Sequence, residues 1–255
     1  MRIRTAILTL GLAAFAAAPA FAGNVNISLG FGGPDGPLGT SASYISNGAT
    51  ITAYGYECSA TDATTSGTLS GCAAANLYQK SDGGSEVGLG LEGETDHEIG
   101  MDSNTADFLI GLDVSDLFKL GATSITLDFG SWQPGEAYAV LGYGSNPFLG
   151  GTFTLDGLTN TKAWVGNPGT LPGNPQQYSS TFNLNSGDEF LVLLSPCGAN
   201  PSAPLGPCGS NVTLSGLSSS YVTPEPGTLA LFLTGLLALG FAARRRWTLA
   251  RNSAN

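Results

Sequence analysis

The chain has 255 residues, with nine basic and nineteen acidic side chains and a formal net charge of −10. Six of the basic residues lie in the terminal segments, so residues 23–222 carry three lysines against eighteen acids, a formal charge of −15. Such an acidic surface repels phosphate backbones and excludes nucleic acid as a partner, while it favours the solubility of an exported protein.

The N-terminus has the three parts of a secretory signal peptide. A basic start with Arg2 and Arg4 precedes an apolar stretch over residues 7–18, and Ala20-Phe21-Ala22 forms an A-x-A cleavage site. The apolar stretch is short for a stable membrane helix. We therefore expect residues 1–22 to be a signal peptide.

Residues 23–222 are predicted to form one β-rich domain, because they show no long helical periodicity. Short runs rich in β-branched and aromatic residues recur between Gly- and Pro-rich turns, which is typical of strands. Ten strands are predicted in this way: Val25–Leu29, Thr50–Tyr56, Glu86–Leu91, Phe108–Val114, Ser124–Phe129, Ala137–Tyr143, Gly151–Leu155, Ser180–Leu184, Phe190–Leu194 and Asn211–Leu217.

The pattern within these runs adds detail to the prediction. Alternation in Ser124–Phe129 places its three apolar residues on one face. The continuous apolar run Phe190–Leu194 is predicted to be buried on both faces. Ser115–Leu120 is predicted to be a short helix, and Gly166–Gln177 a long loop. Short strands without helical crossovers predict an all-β fold, an antiparallel β-sandwich with a jelly-roll-like topology.

Glu92, Glu94, Asp96 and Glu98, followed by Asp102, form the most prominent acidic cluster of the chain. If the segment is extended, the first four carboxylates share one face, because alternate residues of a strand point the same way. Oxygen-rich clusters suit calcium, although the spacing differs from that of an EF-hand loop. Two interpretations stay open, a structural calcium site and a solvated acidic hairpin.

The sequence contains no catalytic motif. The single histidine, His97, lies between two acids, and no G-x-S-x-G or H-E-x-x-H pattern occurs. Residues 88–93 match G-x-G-x-x-G, but no helix is predicted after them and the acids that follow would repel a pyrophosphate. We expect a non-enzymatic protein without a cofactor other than the hypothetical calcium. The enzymatic alternative is an envelope hydrolase that uses a carboxylate pair.

Several aromatic side chains could stack on sugar rings, because a flat aromatic face buries apolar area against the ring. The same side chains could instead fill the core of the sandwich. A carbohydrate-binding module, with polysaccharide as its partner, is therefore the alternative to a structural or adhesive role. The candidates for stacking are Trp132, Trp164 and Tyr178, together with Tyr138 and Tyr143.

Four cysteines are present, and no C-x-x-C pattern joins them. The simplest of the three possible pairings joins Cys58 to Cys72 and Cys197 to Cys208. Disulfides suit an exported protein. A zinc site is the alternative, and the presence of only one histidine disfavours it.

The tail of the chain, residues 223–255, has a different composition. Pro224-Glu225-Pro226 is followed by an apolar run from Thr228 to Ala243 and then by Arg244-Arg245-Arg246. The run is predicted to be a short transmembrane helix, with the arginines on the cytoplasmic side. Residues 23–222 then form an ectodomain outside the cytoplasm.

The order of Pro-Glu-Pro triplet, short helix and arginine cluster resembles the PEP-CTERM sorting tail of exported bacterial proteins. The resemblance covers the tail alone, with Thr223 before the triplet where many members have valine. It implies recognition of the tail by an exosortase, a processing enzyme at the inner membrane. It also implies a membrane-anchored precursor and a mature protein in the cell envelope, on the cell surface or in an exopolysaccharide matrix.

Overall fold

The structure is a computed structural model, and within its described residues the chain is mainly β-strand. It describes residues 23–59, 68–83, 86–94, 96–102, 106–132, 138–150, 152–154, 161–165, 176–184, 187–194, 212–223 and 234–240. Helix α1 spans Ser115–Lys119, a 3-10 helix spans Pro147–Gly150, and residues 234–240 are helical. The strands are β1 (Gly23–Gly30), β2 (Gly36–Gly39), β3 (Ser41–Ser46), β4 (Ala49–Ser59), β5 (Thr68–Ala75), β6 (Leu77–Gly83), β7 (Glu86–Leu91), β8 (Gly100–Asp102), β9 (Ala106–Asp113), β10 (Ser124–Trp132), β11 (Tyr138–Tyr143), β12 (Thr152–Thr154), β13 (Thr161–Val165), β14 (Gln176–Asn183), β15 (Phe190–Leu194) and β16 (Thr213–Thr223).

These strands form two antiparallel sheets in the described part of the chain. The first has seven strands in the order β14-β10-β16-β7-β6-β2, with β1 also paired to β16. The second has nine strands in the order β12-β5-β4-β9-β15-β11-β13, with β3 also paired to β4 and β8 to β9. The prediction of an all-β, antiparallel fold is therefore confirmed.

The hydrophobic pattern of single strands explains their positions in the sheets. In β10, Ile125, Leu127 and Phe129 are buried while the residues between them are half-buried, which confirms the predicted alternation. All five residues of β15 are buried, with Phe190, Val192 and Leu194 in a hydrophobic cluster on one face of the nine-stranded sheet and Leu191 and Leu193 on the other face. The predicted burial of Phe190–Leu194 is thus confirmed as well.

The two sheets meet through apolar side chains. Phe129 on β10 stacks on Tyr138 on β11, with ring centroids 3.7 Å apart. On the nine-stranded sheet, Val140, Leu193 and Ile110 are cross-strand neighbours in register, and none of them is exposed to solvent. Directly opposite residues share a face. This face forms part of the core, together with the buried residues of β10.

All ten predicted strands overlap strands of the structure, and the predicted short helix is α1. Six further strands were not predicted: β2, β3, β5, β6, β8 and β13. They are short or rich in Gly, Ser and Ala, so they lack the alternation of large apolar residues on which the prediction depends. The predicted loop Gly166–Gln177 is wrong at its end, because Gln176 already begins β14, and residues 166–175 lie outside the described residues.

The chain divides into two compact units. One is Asn26–Tyr221, which contains the sheets described above. The other consists of Met1–Val25 and Val222–Asn255. Of the second unit, residues 234–240 are helical and exposed, while the predicted signal peptide lies outside the described residues. The predicted domain boundaries stay predictions.

The predicted disulfide between Cys58 and Cys72 is confirmed. It joins β4 to β5 across a sequence separation of fourteen residues, and Cys58 is fully buried. Cys197 and Cys208 lie outside the described residues, so their pairing stays a prediction.

Removing this disulfide is expected to lower the free energy of unfolding by about 3 kcal/mol. The cross-link closes a loop in the unfolded chain and so reduces its conformational entropy, which stabilises the folded state relative to it. The double variant Cys58→Ala/Cys72→Ala can be compared with the wild type by urea denaturation under oxidising conditions. The single variant Cys72→Ala breaks the same bond and should lose a similar amount. A change below about 0.5 kcal/mol in the double variant would contradict a stabilising role.

Candidate functional site

A cleft of about 370 Å³ opens at one end of the nine-stranded sheet. Its size lies in the range of small-ligand sites in proteins. It is formed where β4, the end of β9, the start of α1, the segment after β11 and the start of β15 come together. Residues that line it include Tyr54, Asp113, Ser115, Asn146, Leu149 and Glu189.

Strand register brings the floor of the cleft together. Tyr54 on β4 lies opposite Gly111 on β9, and Asp113 lies opposite Phe190 on β15. Gly111 allows two aromatic rings to pack directly over the sheet, because a Cβ atom at this position would lie 2.5 Å from Cζ of Phe190 and 3.1 Å from Cε2 of Tyr56. The glycine therefore makes room for an aromatic cluster on this face.

The aromatic cluster is packed and held by hydrogen bonds. The ring centroid of Tyr56 lies 3.9 Å from that of Phe148, and the centroid of Tyr54 lies 6.1 Å from that of Phe190. Nδ2 of Asn146 donates to the Tyr56 hydroxyl at 2.7 Å, and Oδ1 of Asn146 accepts from the backbone N–H of Phe148 at 2.9 Å. Burial raises the pKa of Tyr56. These contacts fix the wall of the cleft before any ligand binds.

Two carboxylates and a nearby lysine set the charge of the cleft. Oδ1 of Asp113 accepts from the backbone N–H of Ser115 at 3.0 Å, which fixes this carboxylate at the start of α1. The exposed Lys119 pairs with Asp116 at 3.0 Å. The hydrogen bond to Asp116 raises the pKa of Lys119 most, and the charges of Asp113 and Glu189 add to it. An ammonium group therefore lies on the same short helix as Ser115 of the cleft.

Sequence reasoning did not identify this cleft. Asp113 and Ser115 follow the apolar run of β9, and Glu189 precedes the apolar run of β15, so each lies at the end of a predicted strand. Polar residues at strand ends were the available signal. The sequence could not reveal that β9 and β15 are neighbours, which is the fact that brings these residues together.

The acidic cluster that the sequence singled out does not form one face. The segment runs through turns and bends between β7 and Ile99, so the extended geometry is wrong. Glu94 and Glu98 are buried, whereas Glu92 and Asp96 are exposed. The side chain of Asp102 lies outside the described residues.

The two buried acids, Glu94 and Glu98, have partners inside the fold. Glu98 binds Nζ of Lys80 at 2.6 Å and accepts a hydrogen bond from Oγ of Ser131. Burial raises the pKa of Glu98 in spite of these partners. Burial lowers the pKa of Lys80, but the hydrogen bond and charge of Glu98, together with the charges of Glu86 and Asp82, make the net shift upward. One carboxylate oxygen of Glu94 accepts the backbone N–H groups of Asp96 and Glu98, at 2.7 and 3.0 Å.

Among the residues that the structure describes, no three His, Cys, Asp or Glu side chains are grouped closely enough to hold a metal ion. Two members of the proposed calcium set, Glu94 and Glu98, are instead engaged by backbone N–H groups, a lysine and a serine. The set also includes Asp102, whose side chain is not described. The calcium hypothesis stays a prediction.

Packing explains the glycine pattern at residues 88–93. A Cβ atom at Gly88 would lie 2.6 Å from the carbonyl oxygen of Leu214, and one at Gly90 would overlap the carbonyl oxygen of His97. The ring of His97 itself stacks on Tyr78, with centroids 3.8 Å apart. These glycines allow a close approach of backbone segments within the fold.

The aromatic residues proposed for sugar stacking differ in how far they are buried. Tyr138 is fully buried against Phe129, so its proposed role as a stacking surface is wrong, and burial raises its pKa. Tyr143 is half-buried and packs against the aromatic cluster. Tyr178 is 36% exposed on β14. The side chains of Trp132 and Trp164 lie outside the described residues, so stacking by Trp132, Trp164 and Tyr178 stays a prediction.

In the tail, the structure describes Thr223 and residues 234–240. Strand β16 ends at Thr223, directly before Pro224. The triplet Pro224-Glu225-Pro226 and the cluster Arg244-Arg245-Arg246 lie outside the described residues. Of the predicted transmembrane run, residues 234–240 are described and are helical. No helix in the described part of the chain has both the length and the apolar character needed to cross a membrane.

The described residues thus define an all-β protein with two antiparallel sheets and a cleft at one sheet end. The chain carries a PEP-CTERM protein-sorting motif, which matches residues 222–246 and confirms the resemblance seen in the tail. The motif marks an exported protein that is sorted to the cell surface. It implies a membrane-anchored precursor and processing by an exosortase, a membrane enzyme.

Three solved adhesin domains of Lys-gingipain are similar to parts of the chain. The K1 domain, from Porphyromonas gingivalis W83, is 12% identical over 79% of this chain and 99% of that domain, with a TM-score of 0.30. The K2 domain is 13% identical over 76% of this chain and 99% of that domain, with a TM-score of 0.31. The K3 domain, also from Porphyromonas gingivalis W83, is 11% identical over 50% of this chain and 71% of that domain, with a TM-score of 0.28. At these TM-scores the similarity adds nothing to the description of the fold. No curated protein matches the sequence.

Proposed function

We propose that the protein is a non-enzymatic component of the cell surface or extracellular matrix with a structural or adhesive role. The observation that carries this proposal is the sorting motif at residues 222–246, because it directs the folded β-domain to the outside of the cell. The excess of acids over lysines in residues 23–222 supports a soluble, exposed location.

We also propose that the two sheets form a jelly-roll-like sandwich. From β9 onwards the chain passes repeatedly between them, with β9, β11 and β15 in the nine-stranded sheet and β10, β14 and β16 in the seven-stranded sheet. Repeated crossing between two packed sheets is how a jelly roll is built. The contact between Phe129 and Tyr138 joins neighbouring members of this alternation.

Sorting can be tested by fractionating native cells that express an epitope-tagged chain, with the tag placed after residue 23. The wild type is expected in the envelope or matrix, with an intact mass that shows loss of the arginine cluster. Replacing Pro224-Glu225-Pro226 with three alanines should leave an unprocessed precursor in the membrane, because the triplet marks the recognition region. Asn252→Ala in the same tail is the matched control and should be processed normally.

Two results would contradict the proposal. One is wild-type protein of full length in the cytoplasm, and the other is normal processing of the triple-alanine variant. The hydrolase alternative is tested on the same material, by measuring new reducing ends after incubation with neutral and acidic polysaccharides. Release of reducing ends that is lost in Glu189→Gln would replace the non-enzymatic role with an enzymatic one.

A further inference from the structure

We propose that the cleft beside Tyr54 binds a neutral saccharide. This inference goes beyond sorting and does not depend on it, because it rests only on the geometry of the ectodomain. It also differs from the stacking surface predicted from the sequence, since Tyr178 is not among the described residues that line this cleft.

The aromatic wall gives the cleft a surface for the apolar face of a sugar ring. Tyr54 is half-buried, and its ring centroid lies 6.5 Å from that of Tyr56 and 6.1 Å from that of Phe190. Its orientation is therefore set by packing, while part of the ring still faces solvent. Leu149, 84% exposed at the rim, extends this apolar surface. A pyranose ring presents C–H groups on its flat faces, which pack well on such a surface.

Polar groups of both kinds lie close to that wall. Asp113 and Glu189 offer carboxylate oxygens that accept hydrogen bonds from sugar hydroxyls. Asn146 has a second N–H and a second lone pair beyond the bonds that hold it to Tyr56 and Phe148. A hydroxyl group donates one hydrogen bond and accepts two, so a polyhydroxylated ligand matches this mixture. Apolar walls with a few converging polar groups are the usual form of a small-ligand site.

The charge of the cleft selects among saccharides. Residues 23–222 have three lysines against eighteen acids, and two of those acids lie in the cleft. A uronic acid or a sulfated sugar would therefore be repelled. A cationic ligand would have to compete with Lys119, which lies on α1 and pairs at 3.0 Å with Asp116, the residue next to Ser115 of the cleft. A neutral sugar avoids both penalties.

The test uses the purified full chain on an array of neutral, acidic and amino-sugar oligosaccharides, followed by calorimetric titration of the neutral oligosaccharide with the strongest signal. Tyr54→Leu keeps apolar volume but removes the aromatic face, and we expect it to weaken binding about tenfold. Glu189→Gln has nearly the same shape as the wild type and should weaken binding about threefold, because it loses a charged acceptor. Glu57→Gln is the matched control, since this exposed glutamate lies on β4 but on the opposite face from Tyr54.

Binding of neutral sugars that both cleft variants weaken and Glu57→Gln preserves would support the proposal. Four outcomes would overturn it: binding of acidic sugars only, binding of amino sugars only, no binding by the folded wild type, and neutral-sugar binding that neither cleft variant changes. If Tyr54→Leu does not fold, Glu189→Gln decides alone, because an exposed side chain of unchanged size leaves the fold intact.

Discussion

Replacing Lys80 with methionine is expected to lower the free energy of unfolding by about 3–5 kcal/mol, because it leaves a buried carboxylate without its cation. The side chains of Lys80 and Glu98 are 8% and 4% exposed, and their charged atoms lie 2.6 Å apart. Glu86 also lies near the lysine, with its carboxylate 3.6 Å from Nζ. The variant would keep both carboxylates and lose the ammonium group that pairs with them.

Urea denaturation at pH 7.5 measures this loss. Two further variants test whether it comes from the unpaired buried charge. Lys80→Met/Glu98→Gln removes both charges and should recover about 2–3 kcal/mol, because a neutral amide still accepts from Ser131. Lys119→Met breaks the exposed pair with Asp116 and should change stability by less than about 1 kcal/mol. Equal losses at Lys80 and Lys119 would show that burial does not matter for this ion pair.

The deficit of Lys80→Met should also depend on pH. Burial already raises the pKa of Glu98 in the wild type, and removal of the lysine takes away the main group that opposes this rise. The folded variant therefore protonates Glu98 at higher pH than the wild type does. Since protonation removes the unpaired charge, the stability difference between variant and wild type should shrink as the pH falls towards about 4. A deficit that is constant with pH would point to lost packing alone.

The sequence predicted the main strands because their hydrophobic patterns are local. Glu86–Leu91 and Phe190–Leu194 were predicted with the same ends as β7 and β15, since the first has apolar residues at alternate positions and the second is a continuous apolar run. β5 and β6 were not predicted, because small and polar residues such as those of Thr68–Ala75 carry no alternation. Their strand conformation is imposed by neighbours, namely β4 for β5 and β7 for β6.

The site was harder to predict than the fold for the same reason. The acidic run from Glu92 to Glu98 is conspicuous in sequence, but the turn splits it into buried and exposed members. Lys80 and Ser131, the partners of Glu98, come from distant strands. The cleft depends on register between β4, β9 and β15, and register is a long-range property. The sorting tail was recognised from sequence because its three parts follow one another directly along the chain.

Asp107→Asn is expected to stabilise the protein at neutral pH by up to about 3 kcal/mol, because it removes a charge that folding buries. Asp107 lies on β9, opposite Cys58 of β4, and is 6% exposed. Burial raises its pKa from 3.8 to about 6. The folded state thus holds this proton more tightly than the unfolded chain does. Stability of the wild type falls as the pH rises from about 4 to about 6, and the full cost persists above that range.

Thermal and urea unfolding of wild type and Asp107→Asn between pH 4 and pH 8 measures this contribution. The stability difference between the two proteins should be small, about 0.5 kcal/mol, at pH 4 and should reach its maximum above about pH 6, because asparagine is neutral throughout. Glu98 also has a raised pKa, but it titrates in both proteins and cancels in the comparison. Asp96→Asn removes an exposed carboxylate of the same type and should change stability by less than about 0.5 kcal/mol at every pH. If Asp107→Asn were destabilising at pH 7.5, the carboxylate would be making a favourable contact as an anion, and burial would not be the dominant influence on it.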